Sequence, residues 1–390
     1  MDYTDNQILL KGLFRLDQTE IRLPETDVRI VNCSFRSPIQ PVDDTCFKET
    51  MSDPGRALLV RQSEANSNFT YPVFMPEEKG PAQGAIILLH GLNERQWNKY
   101  LYWAQYLCEQ TGKAVILFPI AFHINRSPEY WSDPRLMSEV SLKRTTVADA
   151  DDLATPFNAA LSTRLEKHPE WFCTSGLQSC YDIISLSTDI RDGRHPLFEA
   201  GTRTDFFAYS VGAFLLEVLL LANPDGLFSR SRSFLFLGGS TFEQMRGVSR
   251  YIMDRRAYDR LDQAFLRQDP AVVRNNIHLP RLSSFNQLWT SFLSVLKLDL
   301  MAREREESFR SLSDRISAVG LARDRVIPGG SILATLRGNR RPSGIPVRIM
   351  DFPYPYIHEN PFPVTQPDIR RAVDSSFRDV FGQASRFLRA

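Results

Sequence analysis

Two textures of apolar residues alternate along this chain. Short continuous runs are followed by longer stretches in which apolar positions recur every three or four residues. The run "AIILLHG" (85–91) ends in glycine and predicts a strand buried on both faces, as in a parallel sheet. "QWNKYLYWAQYLCEQTG" follows, with Trp97, Leu101, Ala104 and Leu107 at helical spacing and Gly112 as a natural stop. "AVILFPIAF" (114–122) is the next buried strand, which completes a strand–helix–strand unit.

The alternation resumes downstream. "CYDIISLSTDI" predicts a helix, "TDFFAYS" (204–210) a strand, "GAFLLEVLLLA" a helix and "SFLFLGGS" (233–240) a strand. "RISAVGLARD" (315–324), "SILATLRG", "PVRIMDF" (346–352) and "SFRDVFGQASRFLRA" continue as strand, helix, strand, helix. Ahead of the first unit, "VRIVNCSF", "ALLVRQ" (57–62) and "FTYPVFMP" (69–76) read as further strands. The pattern predicts an α/β protein with an open, mostly parallel sheet and helices on both faces. Residues 1–56 are mixed and polar and read as an N-terminal extension to a domain spanning 57–390. Two intervals, 123–174 and 241–312, are too long for plain connections. Both read as insertions standing over the edge of the sheet where ligands bind.

Composition narrows the function. Lys plus Arg (47) balance Asp plus Glu (46), so there is no basic surplus for a nucleic-acid backbone. The five cysteines, Cys33, Cys46, Cys108, Cys173 and Cys180, are odd in number and sparse, and read as free thiols rather than a disulfide framework. No Cys-x-x-Cys or His-Glu-x-x-His spacing occurs, so neither a metal nor another cofactor is expected. The acidic, polar N-terminus does not read as a signal peptide, and no apolar run is long enough to span a membrane. A soluble, cytoplasmic protein is the expectation.

Candidate chemistry gathers where predicted strands end. In "DFFAYSVGAF", Ser210 sits between strand and helix, with Ala208 and Gly212 two positions either side. That is the form of a nucleophile elbow, although a serine merely ending a strand would look alike. In "LLHGLNE", Gly91 allows a close approach of the chain, and Leu92 N–H and Val211 N–H are the candidate oxyanion donors. His90 reads as a structural group. Asp324 in "LARDRVIP" is placed to accept Nδ1–H from a histidine, and His358 in "IMDFPYPYIHENPF" is the candidate general base. His278 is the rival base and Asp351 the rival acid.

Serine, aspartate and histidine thus follow separate strands in that chain order, and the sequence here resembles the α/β-hydrolase superfamily over roughly residues 57–390, outside the two insertions. One departure is Ala208, where many members have glycine. The resemblance implies a Ser210–His358–Asp324 triad with Leu92 and Val211 as oxyanion donors, and a helical cap at 241–312. A cap there would bring "FNQLWTSFLSVLKLDL", with Leu288, Trp289, Phe292 and Leu296, toward an acyl pocket. Arg246, Arg250, Arg255, Arg256 and Arg260 are either an anion site or a solvated helix face, and "MAREREESFR" reads as a solvent-facing charged helix. The expected function is a serine hydrolase acting on a small-molecule carboxylic ester or related acyl bond. A thioesterase, amidase or acyltransferase with the same triad, or a non-catalytic binding protein of this fold, are the alternatives.

Overall fold

Nine strands form one sheet in the order β1-β2-β3-β5-β4-β6-β7-β8-β9 in the computed structural model, which describes residues 2–39, 63–77, 80–145, 153–277, 279–339 and 342–390. The strands are β1 (Glu20–Arg22), β2 (Val28–Arg36), β3 (Asn68–Pro76), β4 (Ala82–Leu89), β5 (Ala114–Leu117), β6 (Phe198–Tyr209), β7 (Ser233–Phe236), β8 (Ile316–Leu321) and β9 (Val347–Met350). Every pairing from β5 to β9 is parallel, while β1, β2 and β3 form an antiparallel edge joined to β5. The expected strand at 57–62 lies outside the described residues. The fold class is the expected one, a mostly parallel sheet with helices on both faces.

The helices of eight or more residues are α1 (Tyr3–Leu13), α2 (Leu101–Thr111), α3 (Pro134–Thr145), α4 (Ala159–Lys167), α5 (Glu170–Arg191), α6 (Val211–Ala222), α7 (Arg255–Asp262), α8 (Phe285–Ser294), α9 (Ala302–Ser311), α10 (Gly329–Arg337) and α11 (Arg370–Arg389). Strand side chains alternate between the two faces. Ile86 and Leu88 of β4, with Phe207 of β6 and Phe236 of β7, pack beneath α1, α2 and α11. Ala85, Ile87 and Leu89 of β4, with Phe206 and Ala208 of β6, pack against α5, α6 and α10. This double burial is why β4 reads as a continuous apolar run.

Residues 20–36, read as part of an extension, add β1 and β2 to the sheet, with β2 paired along its whole length to β3. Within 123–174 the described residues form α3, α4 and the start of α5, and within 241–312 they form α7, α8 and α9 with shorter helical turns. The two segments pack on each other, with Arg144 of α3 bonding Asp254 at 2.6 Å and Arg256 of α7 paired to Glu166 of α4. Arg305 of α9 is 2% exposed, contrary to the solvent-facing reading of that helix. Its guanidinium donates to the carbonyls of Ser294 (2.6 Å), Lys297 and Leu300 (both 3.0 Å), at and just beyond the end of α8. A cation suits that site, because unpaired carbonyls and the helix dipole leave negative charge there.

Parallel strands bring their carboxyl ends to one edge. The loop after β4 carries Gly91 and Leu92, Ser210 follows β6, Asp324 follows β8 and His358 follows β9. Ligands of open α/β sheets bind along such an edge.

Candidate active site

Ser210 occupies a sharp turn between β6 and α6 with φ 58° and ψ −124°. A non-glycine residue there is strained by about 1–3 kcal/mol and must be held by its surroundings. Its N–H donates to the Phe236 carbonyl at 3.2 Å, and its own carbonyl accepts from Ala213 N–H at 2.9 Å. Small neighbours are needed because the backbones nearly touch. A Cβ on Gly212 would lie 2.7 Å from the carbonyl oxygens of both Leu89 and His90. One on Gly238, which sequence reasoning passed over, would lie 2.9 Å from the Ser210 oxygen. Ala208 is fully buried in the sheet, where its methyl is accommodated.

Ser210 Oγ lies 2.7 Å from His358 Nε2, and His358 Nδ1 lies 2.7 Å from Asp324 Oδ2. A carboxylate only accepts, so Nδ1 carries the ring proton and Nε2 is free to accept from the serine hydroxyl. The second Asp324 oxygen accepts from Val326 N–H (2.8 Å) and Ile327 N–H (3.0 Å), which fixes the carboxylate plane. All three residues are buried. Tyr209 braces the histidine from below. Its ring stacks on the imidazole at 5.6 Å, and its hydroxyl donates to the His358 carbonyl. The rival acid, Asp351, is exposed and holds Arg323 at 2.7 Å and Tyr356 Oη at 3.0 Å instead. The rival base, His278, lies outside the described residues.

Gly91 comes as close as expected, since a Cβ there would sit 3.5 Å from Ser210 Cβ and 3.0 Å from the Tyr209 ring. Its N–H donates to Tyr100 Oη at 3.0 Å, and Tyr100 in turn donates to Glu94 at 2.7 Å. Leu92, the next residue, and Val211 at the start of α6 both border one cavity that is partly open to solvent. Its walls are mainly apolar and come from residues 120–131, α4, α5, α6 and α8. Trp289 and Phe292 border it, as does Arg164. The Arg164 guanidinium lies 4.3–4.5 Å from the ring centres of Phe122, Trp131 and Trp171. Burial pushes this side chain down to about 9.

His90 is a structural group. Its Nδ1–H donates to the Gly91 carbonyl at 2.8 Å, and its Nε2 accepts from Ile120 N–H at 2.9 Å. His123, with its ring centre 5.2 Å away, donates Nδ1–H to the Ala121 carbonyl at 2.9 Å. Burial pushes both imidazoles down to about 3. Between that value and the ordinary one of about 6.5, the unfolded chain binds the extra protons. Stability is therefore fully present above the ordinary value and is lost as pH falls toward the folded one. In His123→Gln the amide keeps a donor for Ala121 and does not titrate. Urea melts from about pH 6.5 to about pH 4 are expected to show a shallower loss of stability in this variant, by up to about 1.4 kcal/mol per pH unit. An unchanged slope would show that His123 is reached by water and charges in the folded state.

Among the described residues, no group of three or more His, Cys, Asp or Glu side chains is placed to hold a metal ion. Cys33, Cys108, Cys173 and Cys180 are free thiols. No helix among these residues is long and apolar enough to cross a membrane.

The family model described as "Family of unknown function (DUF6051)" matches residues 1–389. No curated protein matches the sequence. Solved structures with a similar fold include carboxyl esterase 2 from the mycorrhizal fungus Tuber melanosporum, at 12% identity over 100% of this chain and 98% of that one, with a TM-score of 0.47. A thermostable esterase from Pseudomonas putida matches at 12% identity over 100% and 91%, with a TM-score of 0.45. The peroxisomal α/β-hydrolase Lpx1 of Saccharomyces cerevisiae matches at 11% identity over 94% and 90%, with a TM-score of 0.42.

Proposed function

This chain belongs to DUF6051, a family of unknown function, and from the geometry of its own site we propose that it is a serine hydrolase of the α/β-hydrolase type, cleaving a carboxylic ester or related acyl bond. One observation carries the reading: an unbroken hydrogen-bonded line from Ser210 Oγ through the His358 imidazole to Asp324, beginning on a strained strand-to-helix turn.

Each step follows from that line. His358 Nε2 takes the hydroxyl proton as Ser210 Oγ bonds to the carbonyl carbon. Asp324 holds the imidazole in the tautomer that can accept, and stabilises the imidazolium once formed. The carbonyl oxygen becomes an oxyanion held by Leu92 N–H and Val211 N–H, the latter at the positive end of α6. When the intermediate collapses, His358 returns the proton to the leaving oxygen and an acyl-serine remains. Water enters by the same general-base route and releases the acid. Residues 241–312 act as a cap whose Trp289 and Phe292 close one side of the pocket.

The intact line of three buried polar groups favours catalysis over a non-catalytic binding role, in which nothing would need the serine in a strained turn. Reaction with a fluorophosphonate probe and release of p-nitrophenol from its acetate ester test the reading directly. A folded protein that neither labels nor turns over any acyl substrate would move the binding role ahead. Asp324→Asn keeps the shape but presents an amide that favours the wrong imidazole tautomer. Its kcat is expected to fall roughly 10³- to 10⁴-fold, measured on p-nitrophenyl acetate, whereas full activity would remove Asp324 from the triad. The same triad serves thioesters and amides, so parallel assays on these decide the preferred acyl bond.

A further inference from the structure

The cavity beside Ser210 has a direction. On α6 it is bordered by Val211, Phe214, Leu215 and Val218, a stripe at i, i+3, i+4 and i+7. Seven residues of helix rise about 10 Å. Because α6 begins at the residue after Ser210, this trough starts at Val211, the neighbour of the serine, and runs away from it for two helical turns. Across from the stripe stand Leu161 and Leu165 of α4, and Trp171, Phe172 and Leu177 of α5.

The α5 wall holds an anomaly. Gly176 lies in the interior of a 22-residue helix, where glycine is unfavourable relative to alanine. Two reasons that explain glycines elsewhere in this chain are missing. Its φ is not positive, and a Cβ built on it would meet no atom within 4 Å. Gly212 and Gly238 are required by crowding, with Cβ contacts of 2.7 Å and 2.4 Å. Gly176 faces open space, and that space is the trough, of which it is a lining residue. The missing side chain is thus what leaves the passage clear between α5 and α6.

We infer that Gly176 is a specificity-determining residue, and that the trough it keeps open receives an extended apolar chain of an ester whose carbonyl lies at Ser210. The inference rests on the hydrolase reading above and adds the substrate class to it. An elongated, largely apolar passage gains little from a short acyl group. A chain lying along the α6 stripe buries each added methylene, worth up to about fourfold in binding at 0.8 kcal/mol per group.

The test compares p-nitrophenyl octanoate with p-nitrophenyl acetate, and octyl acetate with ethyl acetate, so that the chain is carried by the acid in one pair and by the alcohol in the other. The unsubstituted protein is expected to favour the long chain in one pair by tenfold or more in kcat/KM, on the order of one or two methylenes' worth of burial. Gly176→Leu is expected to lower that long-to-short ratio by at least about tenfold. Gly176→Ala should lower it less and raise Tm, since alanine is the better helix former and meets nothing. The ratio is internal, so partial unfolding, which removes active protein for both esters, leaves it unmoved. A loss in either pair supports the inference and says which end of the ester lies in the trough. Ratios unchanged in both pairs, in folded variants that still label with fluorophosphonate, overturn it. Absence of labelling and turnover in the unsubstituted protein overturns the hydrolase reading instead.

Discussion

Ser210→Ala protein is expected to fold as the unsubstituted chain does and to lose turnover of p-nitrophenyl acetate by roughly 10⁴-fold or more. The substitution removes one hydroxyl and leaves the turn, its backbone hydrogen bonds and the imidazole–carboxylate pair in place. The loss of stability should not exceed about 1–3 kcal/mol, because only His358 Nε2 is left without its partner. Fluorophosphonate labelling should vanish with turnover. Under the hydrolase reading a residual rate above that in water is still expected, since the Leu92 and Val211 N–H groups and the pocket remain. A folded Ser210→Ala protein that hydrolyses the ester at a similar rate would locate the reaction elsewhere in the chain.

The second large effect concerns stability rather than chemistry. Arg126 and Asp182 form an ion pair at 2.7 Å with both side chains at 0% exposure. The guanidinium also donates to the carbonyls of Pro119 (2.9 Å) and Asn66 (2.8 Å), and Ser37 Oγ donates to Asp182 Oδ1 at 2.6 Å. Four separate stretches of chain thus meet at one buried pair: the residue after β2, the turn before β3, the loop after β5, and α5. Asp182→Ala leaves the arginine charged, buried and without its carboxylate, and is expected to cost about 3–5 kcal/mol in urea unfolding. Arg126→Met combined with Asp182→Leu removes both charges and should recover much of that loss. A loss under about 1 kcal/mol for Asp182→Ala would mean that water reaches the arginine.

That pair also shows where the sequence stops being readable. The strands β4 and β6 announce themselves because burial on both faces makes them continuous apolar runs. β1 does not, because its three residues are buried only at Ile21 and its pairing partner is set by β2. The helix α5 extends some ten residues ahead of the apolar run that signals it. Thr174, Ser175 and Gly176 interrupt the apolar period there, and two of these, Ser175 and Gly176, border the cavity. Ser210, Asp324 and His358 can be picked out because each follows the end of its own strand, a local signal. Tyr209, Gly238 and Arg126 cannot, since what each does depends on a partner far along the chain: the His358 carbonyl, the Ser210 carbonyl and the Asp182 carboxylate. Arg305 fails for the same reason. Its helix is rich in charge and reads as solvated, yet its targets are carbonyls at and beyond the end of α8.

The turn at Ser210 also bears on the stability of the fold. With φ at 58°, the fold would be better served by glycine, which adopts that angle without steric cost. Under the hydrolase reading, that strain is stability given up for the position of the nucleophile.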